Sequence, residues 1–129
     1  MLLEDLVWNS IGEFCEKNSL SRYRRKMTNI CSQIILFSER ERITFFIESM
    51  EHFLYVKVEF LNSENKTSTV VTIDDRTSEV LVSLRKKWIQ SLRQSTKKRA
   101  FDGMMQEYIQ LIQKAIDAQR RLIRDNVKP

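Results

Sequence analysis

Residues 53–61 read Phe53-Leu54-Tyr55-Val56-Lys57-Val58-Glu59-Phe60-Leu61, and this stretch decides the fold class. Leu54, Val56, Val58 and Phe60 alternate with Tyr55, Lys57 and Glu59, the period of two that gives a strand one buried and one wetter face. Its β-branched and aromatic residues favour the same pleated conformation. Downstream, Asn62-Ser63-Glu64-Asn65 reads as a hairpin loop into a strand over 67–73, and Asp74-Asp75-Arg76 as a second turn into 79–84. Upstream, residues 43–50 have strand propensity, although Ile43, Phe46, Ile47 and Met50 also match helical spacing after the capping-box pattern Ser38-x-x-Glu41. Residues 77–84 are similarly double, since Leu81, Leu84, Trp88 and Leu92 fall on one helical side. Both are read as strands, because a lone hairpin is marginal in water whereas three or four strands bury a workable face.

The flanks have helical period. Over 2–17, Leu3, Val7, Ile11 and Phe14 recur at helical spacing while Glu4, Asp5 and Glu13 point elsewhere. Asn18 and Ser19 interrupt this helix, and Ser19 or Ser21 can cap a second one running to about Phe37, with Tyr23, Met27, Ile30, Cys31, Ile34 and Ile35 on its apolar face. Arg22, Arg24, Arg25 and Lys26 crowd its first turns, where cations oppose the helix dipole by a few tenths of a kcal/mol. A partner, or a buried acid, explains their placement better than helix stability does.

Residues 85–96 are read as a helix whose Lys86, Arg93 and Lys97 form a basic stripe, provided the helix continues through Lys97. The last helix, 101–126, carries two adjacent apolar seams covering about half its circumference, more than a two-stranded coiled coil needs. Met104, Tyr108, Leu111, Leu122 and Ile123 are its candidate partner-packing residues, and its C-terminal half is free to project toward a partner. The expected architecture is a single α+β domain over 1–129: an antiparallel meander of three to four strands packed against two N-terminal and two C-terminal amphipathic helices.

The composition agrees with a folded chain: 129 residues, 42% hydrophobic, 30% charged, two glycines and one proline. That excludes disordered, collagen-like and disulfide-framework classes. Cys15 and Cys31 lie among apolar residues and are read as buried free thiols. No apolar run approaches the ~18 residues of a membrane span, and Glu4 and Asp5 stand where a signal peptide would be positive. An intracellular protein is expected. Arg85-Lys86 and, ten residues on, Lys97-Lys98-Arg99 have the spacing of a two-part nuclear localisation signal, so the nucleus is favoured over the cytoplasm; a solvated helix face is the competing account.

Catalysis needs converging polar groups, and little here converges. His52 is the one histidine, Gly12 and Gly103 cannot make a phosphate loop, and no Cys or His pair has metal-ligand spacing. Asp74-Asp75 reads as a solvated turn. The expectation is a non-enzymatic chain without cofactor or small-molecule substrate. The net charge of +5 is unevenly spread: residues 22–38 hold four bases and no acid, 39–79 nine acids and five bases, and 80–101 seven bases and no acid. Such polarity attracts an anionic partner. Arg22, Arg24, Arg25, Lys26, Lys86, Arg93, Lys97, Lys98 and Arg99 are the candidate contacts.

Two functions fit. The first is a protein-interaction module, a small subunit or adaptor of a multiprotein complex that buries its apolar helix faces against another subunit. The second is a nucleic-acid-binding module that contacts the phosphate backbone through the two basic clusters. The second ranks lower because Tyr23 and Trp88 are the only aromatics beside those clusters, and Trp88 falls on an apolar side.

Overall fold

A computed structural model of the chain describes residues 2–50 and 52–127, with side chains through Arg124. The elements are α1 (Leu3–Ser10), α2 (Gly12–Lys17), β1 (Ser21–Lys26), β2 (Cys31–Phe37), β3 (Glu41–Glu48), β4 (Phe53–Leu61), β5 (Thr67–Ile73), α3 (Glu79–Gln90) and α4 (Gln94–Val127). The class is α+β. The five strands form one antiparallel meander in the order β1-β2-β3-β4-β5, one strand more than the upper expectation.

The added strands come from 21–37, where a helix was expected. β1 and β2 are a hairpin, its turn held by the Thr28 hydroxyl, which accepts from the Cys31 N–H at 3.0 Å. Two features oppose a helix here. Ile30, Ile34 and Ile35 are stiff at χ1 and sit better on a pleat, and four cations at a helix N-terminus are electrostatically misplaced. In a strand the same cations face no dipole. The expected strand over 43–50 is β3, which starts earlier, at Glu41, and ends at Glu48, and the Ser38-x-x-Glu41 pattern closes the β2–β3 turn instead of starting a helix. The Ser38 hydroxyl accepts from the Glu41 N–H at 3.2 Å and donates to the Glu41 carboxylate at 2.6 Å.

The strand expected over 77–84 is the start of α3. Ser78 caps it, its hydroxyl accepting from the Leu81 N–H at 3.1 Å, with Glu79 in the first turn. Leu81 and Trp88 face inward, as their helical spacing allowed. The helix then stops at Gln90, and Ser91 is extended (φ −72°, ψ 138°), so 85–96 is not one helix. At the N-terminus, the single helix expected over 2–17 bends at Ile11 into α1 and α2.

The helices pack on one face of the sheet. Leu54, Val56, Val58 and Phe60 of β4 lie at most 4% exposed, and across β3 and β2 the same face continues through Ile43, Phe45, Ile34 and Leu36. The seam of α4 formed by Phe101, Met104, Met105, Tyr108, Ile112 and Ile116 covers it. The Tyr108 hydroxyl donates to the Leu54 carbonyl at 2.8 Å, a buried bond that fixes α4 on β4. No helix among the described residues is long and apolar enough to cross a membrane.

Burial, then the carboxylates of Asp75 and Asp74, push the Tyr108 phenol above its ordinary value of 10.0. Tyr108→Phe is expected to cost about 1–2 kcal/mol at pH 7, read from urea midpoints, because the Leu54 carbonyl loses its side-chain donor. The folded phenol resists ionisation more than the unfolded one. Its contribution is therefore intact below about pH 10 and lost as the pH rises beyond it. The Tyr108→Phe protein should show a shallower alkaline loss of stability than the parent.

Candidate functional site

Strand period puts every second residue on the face opposite the helices, and on that face the ladder assembles rows across the sheet. One row is Arg25, Gln33, Phe46 and Tyr55; the next is Tyr23, Ile35, Thr44 and Lys57; the third is Phe37, Arg42, Glu59 and Val70. No helix of the described residues lies over them. Tyr23 is 48% exposed, Phe37 41% and Val70 48%.

The aromatic rings on this face organise one another. Phe46 and Tyr55, directly opposite across β3 and β4, stack at 4.4 Å with planes 4° apart, and Phe53 leans on Tyr55 at 5.6 Å. Tyr23 and Phe37 meet edge to face at 5.7 Å. Between the two groups runs a groove of about 450 Å³, with Ile35 and Thr44 in its floor, Phe37 and Phe46 on its sides, and Arg25 and Arg42 among its lining. Ile35 and Thr44, each 6% exposed, are buried by these neighbours alone. Arg42 lies 4.0 Å from Glu59, whose carboxylate also accepts from the Thr67 hydroxyl at 3.0 Å. An aromatic and aliphatic patch edged by Arg, Lys and a paired Glu has the composition of a macromolecular interface: an apolar centre and a charged rim.

The candidate cations separate on inspection. Arg22 and Arg24 point to the helix face of β1, where both guanidinium carbons sit over the Trp8 ring, at 4.0 and 4.4 Å from its centre. Arg22 also donates to the Trp8 carbonyl at 2.6 Å, and Arg24 pairs with Asp5 at 2.6 Å and Glu4 at 3.4 Å. These two cations are structural clamps for α1. Arg25 points to the bare face, and Lys26 is exposed at the end of the strand.

In the second basic stretch, Lys97 donates to the Trp88 carbonyl at 3.1 Å and lies 3.5 Å from that of Ile89, so it closes the C-terminus of α3. The expected stripe of Lys86, Arg93 and Lys97 is interrupted by the break at Ser91, and its members sit on α3, the connection and α4. Lys86, Arg93, Lys98 and Arg99 are exposed. Of the residues expected to pack on a partner helix, Met104 and Tyr108 are 2% and 1% exposed in this chain's own core, and Leu111 packs against that core. Leu122 and Ile123 are exposed, on the part of α4 that extends past its last buried residue, Ile116.

Among the described residues no group of three or more His, Cys, Asp or Glu side chains could hold a metal ion. Asp74 and Asp75 are occupied locally: Asp74 accepts from the Arg76 N–H at 2.9 Å, and Asp75 pairs with Arg85 at 3.2 Å. Burial pushes the Cys15 thiol above its ordinary value against the opposing pull of Arg22, so the protonated thiol is favoured at neutral pH. Glu41, 3% exposed, is held by Ser38 and by Arg120 at 3.4 Å. The bare-face aromatics are not legible in the sequence, because the expected helix over 19–37 takes in Tyr23 and Phe37 and the apolar run Ile34-Ile35-Leu36-Phe37 has no period of two to set against it.

Compared with known proteins, the chain matches no family model, no curated protein and no solved structure.

The basic residues should divide in their effect on stability. Lys97→Met is expected to cost about 1 kcal/mol, since it removes a charged donor from the α3 carbonyls while keeping the aliphatic stem. Lys86→Glu and Arg93→Glu should each stay within about 0.5 kcal/mol of the parent. Urea unfolding of the three single variants checks this.

Proposed function

We propose that this chain is a non-enzymatic binding module that buries the bare face of its sheet against another protein. The observation that carries the reading is the exposed aromatic face itself. Tyr23, Phe37, Phe46, Phe53 and Tyr55 gather there on a side of the sheet that no helix of the described residues covers. Aromatic residues held rigid by one another bind at little cost in side-chain entropy, and with Arg they dominate the energetics of protein interfaces.

A nucleic-acid reading has one observation in its favour, the interleaving of Arg25 and Lys57 with Tyr23 and Tyr55. It ranks second for two reasons. Glu59 and Glu48 share this face with the cations, and Phe46 and Tyr55 spend a ring face on each other instead of offering it to a base.

A photo-crosslinking amino acid at Phe37 or Val70 should yield protein adducts that the double variant Tyr23→Ser/Phe46→Ser abolishes. The same probe at Gln110, on α4 and away from this face, should yield none. The double variant should remain folded, with a loss of stability of no more than about 2 kcal/mol for these partly exposed rings. Equal adducts from both positions would overturn the assignment of the face. Anisotropy of labelled single- and double-stranded oligonucleotides at several salt concentrations tests the second reading, for which steep salt dependence is expected.

A further inference from the structure

We propose that β1 accepts an acidic, extended peptide segment as a sixth strand, so that the protein partner docks in part by strand addition at this edge. The inference rests on the bare face being a protein-binding surface and names the chemistry of what arrives there.

β1 is an edge of the sheet, and its backbone polarity is legible from the hairpin. The Met27 N–H donates to the Cys31 carbonyl at 3.0 Å, which marks that pair as hydrogen-bonded. Antiparallel ladders alternate, so Arg25 and Tyr23 bond to β2, while Arg22, Arg24 and Lys26 turn their N–H and C=O groups outward. No strand among the described residues pairs with that side. An added strand completes these bonds, as extended peptides do at open sheet edges.

The side chains of β1 choose the charge of that strand. On the helix side, Arg22 and Arg24 are already engaged by Trp8, Glu4 and Asp5. On the open side, an incoming strand meets Tyr23 and Arg25, two residues apart and roughly 6.6 Å along the strand. The complementary peptide therefore places an apolar or aromatic residue beside Tyr23 and an Asp or Glu two positions away, beside Arg25. Edge cations commonly serve to prevent self-pairing. The two roles are compatible here: with Arg22 and Arg24 engaged by α1, the exposed Arg25 and Lys26 repel a second β1 and attract an acidic strand. The opposite edge offers no such selection. β5 carries no charged residue, and a register shift at Phe60/Leu61 leaves Ser68 unpaired, as a bulge.

The test titrates the full-length protein with a ten-residue peptide in which Glu and Phe alternate at every second position, with Thr between. Hydrogen exchange is followed at each amide. The Arg22, Arg24 and Lys26 amides should exchange rapidly in the free protein and slow by at least about tenfold with bound peptide, while Tyr23 and Arg25 are already slow. Arg25→Glu should weaken binding roughly tenfold, and replacing Glu by Lys in the peptide should restore it to that variant. Three results overturn strand addition: no binding up to about 1 mM peptide, binding without protection of Arg22 and Arg24, or a charge swap that fails to restore affinity. Protection of these amides by an oligodeoxythymidine and not by the peptide overturns it as well. A failure of the bare-face reading is recognised separately, by crosslinking from Phe37 that is no more productive than from Gln110.

Discussion

Everything in this molecule depends on one asymmetry of β3 and β4, whose two faces do not bury equally well. Ile43, Phe45, Ile47, Leu54, Val56, Val58 and Phe60 make one continuous aliphatic and aromatic surface, and at roughly 25 cal/mol per Å² its removal from water is the main favourable term available to a chain this small. The other face is broken by Arg42, Lys57 and Glu59, so the helices that cover the sheet have only one place to go. α4 takes the centre and is pinned there by Tyr108 on the Leu54 carbonyl. α1 takes the β1 side, and this explains two of the four clustered arginines and lysines. The apolar surface of α1 ends at Trp8, and Arg22 and Arg24 extend it by lying over the ring while their charges reach the Trp8 carbonyl and the acids of the first turn.

The fold class and the central strands were legible because period and propensity agreed there. β4 alternates over nine residues with β-branched support, and β5 follows a loop of Asn and Ser. Trouble arose where a sequence matched two periods. Over 31–37, Ile34, Ile35, Leu36 and Phe37 are apolar on both faces because β2 is an interior strand with one face under the helices and the other beneath Tyr23; such a run has no alternation to read. Over 77–84 the deciding signal was Ser78, a cap whose hydroxyl meets the Leu81 N–H, and propensity alone does not weigh a single cap. The candidate surface was the least legible part. Its rings come from β1, β2, β3 and β4, and only strand pairing brings Phe46 to Tyr55 or Tyr23 to Phe37.

Charge reads differently once folded. Two acid-free stretches in the sequence become four separate situations: Arg22 and Arg24 clamp a helix, Lys97 closes one, Arg25 edges the bare face, and the remaining bases of 80–101 are spread over two helices and their connection. A cluster in sequence is therefore not a patch in space. The same composition that suggested a general attraction for anions leaves, at β1, one exposed arginine beside one exposed tyrosine on an unpaired edge, which is a far narrower specification.

The helices have turned most of their apolar surface inward, although α3 leaves Val80, Val82 and Ile89 exposed. The seams of α1, α3 and α4 that face inward are buried against the other side of the sheet, and the apolar residues α4 leaves exposed, Leu122 and Ile123, lie past its last buried residue, Ile116. On the proposed reading, a second layer over the aromatics is supplied by another polypeptide surface. Because Ile35 and Thr44 are already screened by the rings around them, the face is ordered before that surface arrives. The rings therefore stabilise the isolated chain where they stack and screen Ile35 and Thr44, while the area that Tyr23 and Phe37 still expose stabilises nothing until a partner of the proposed kind covers it.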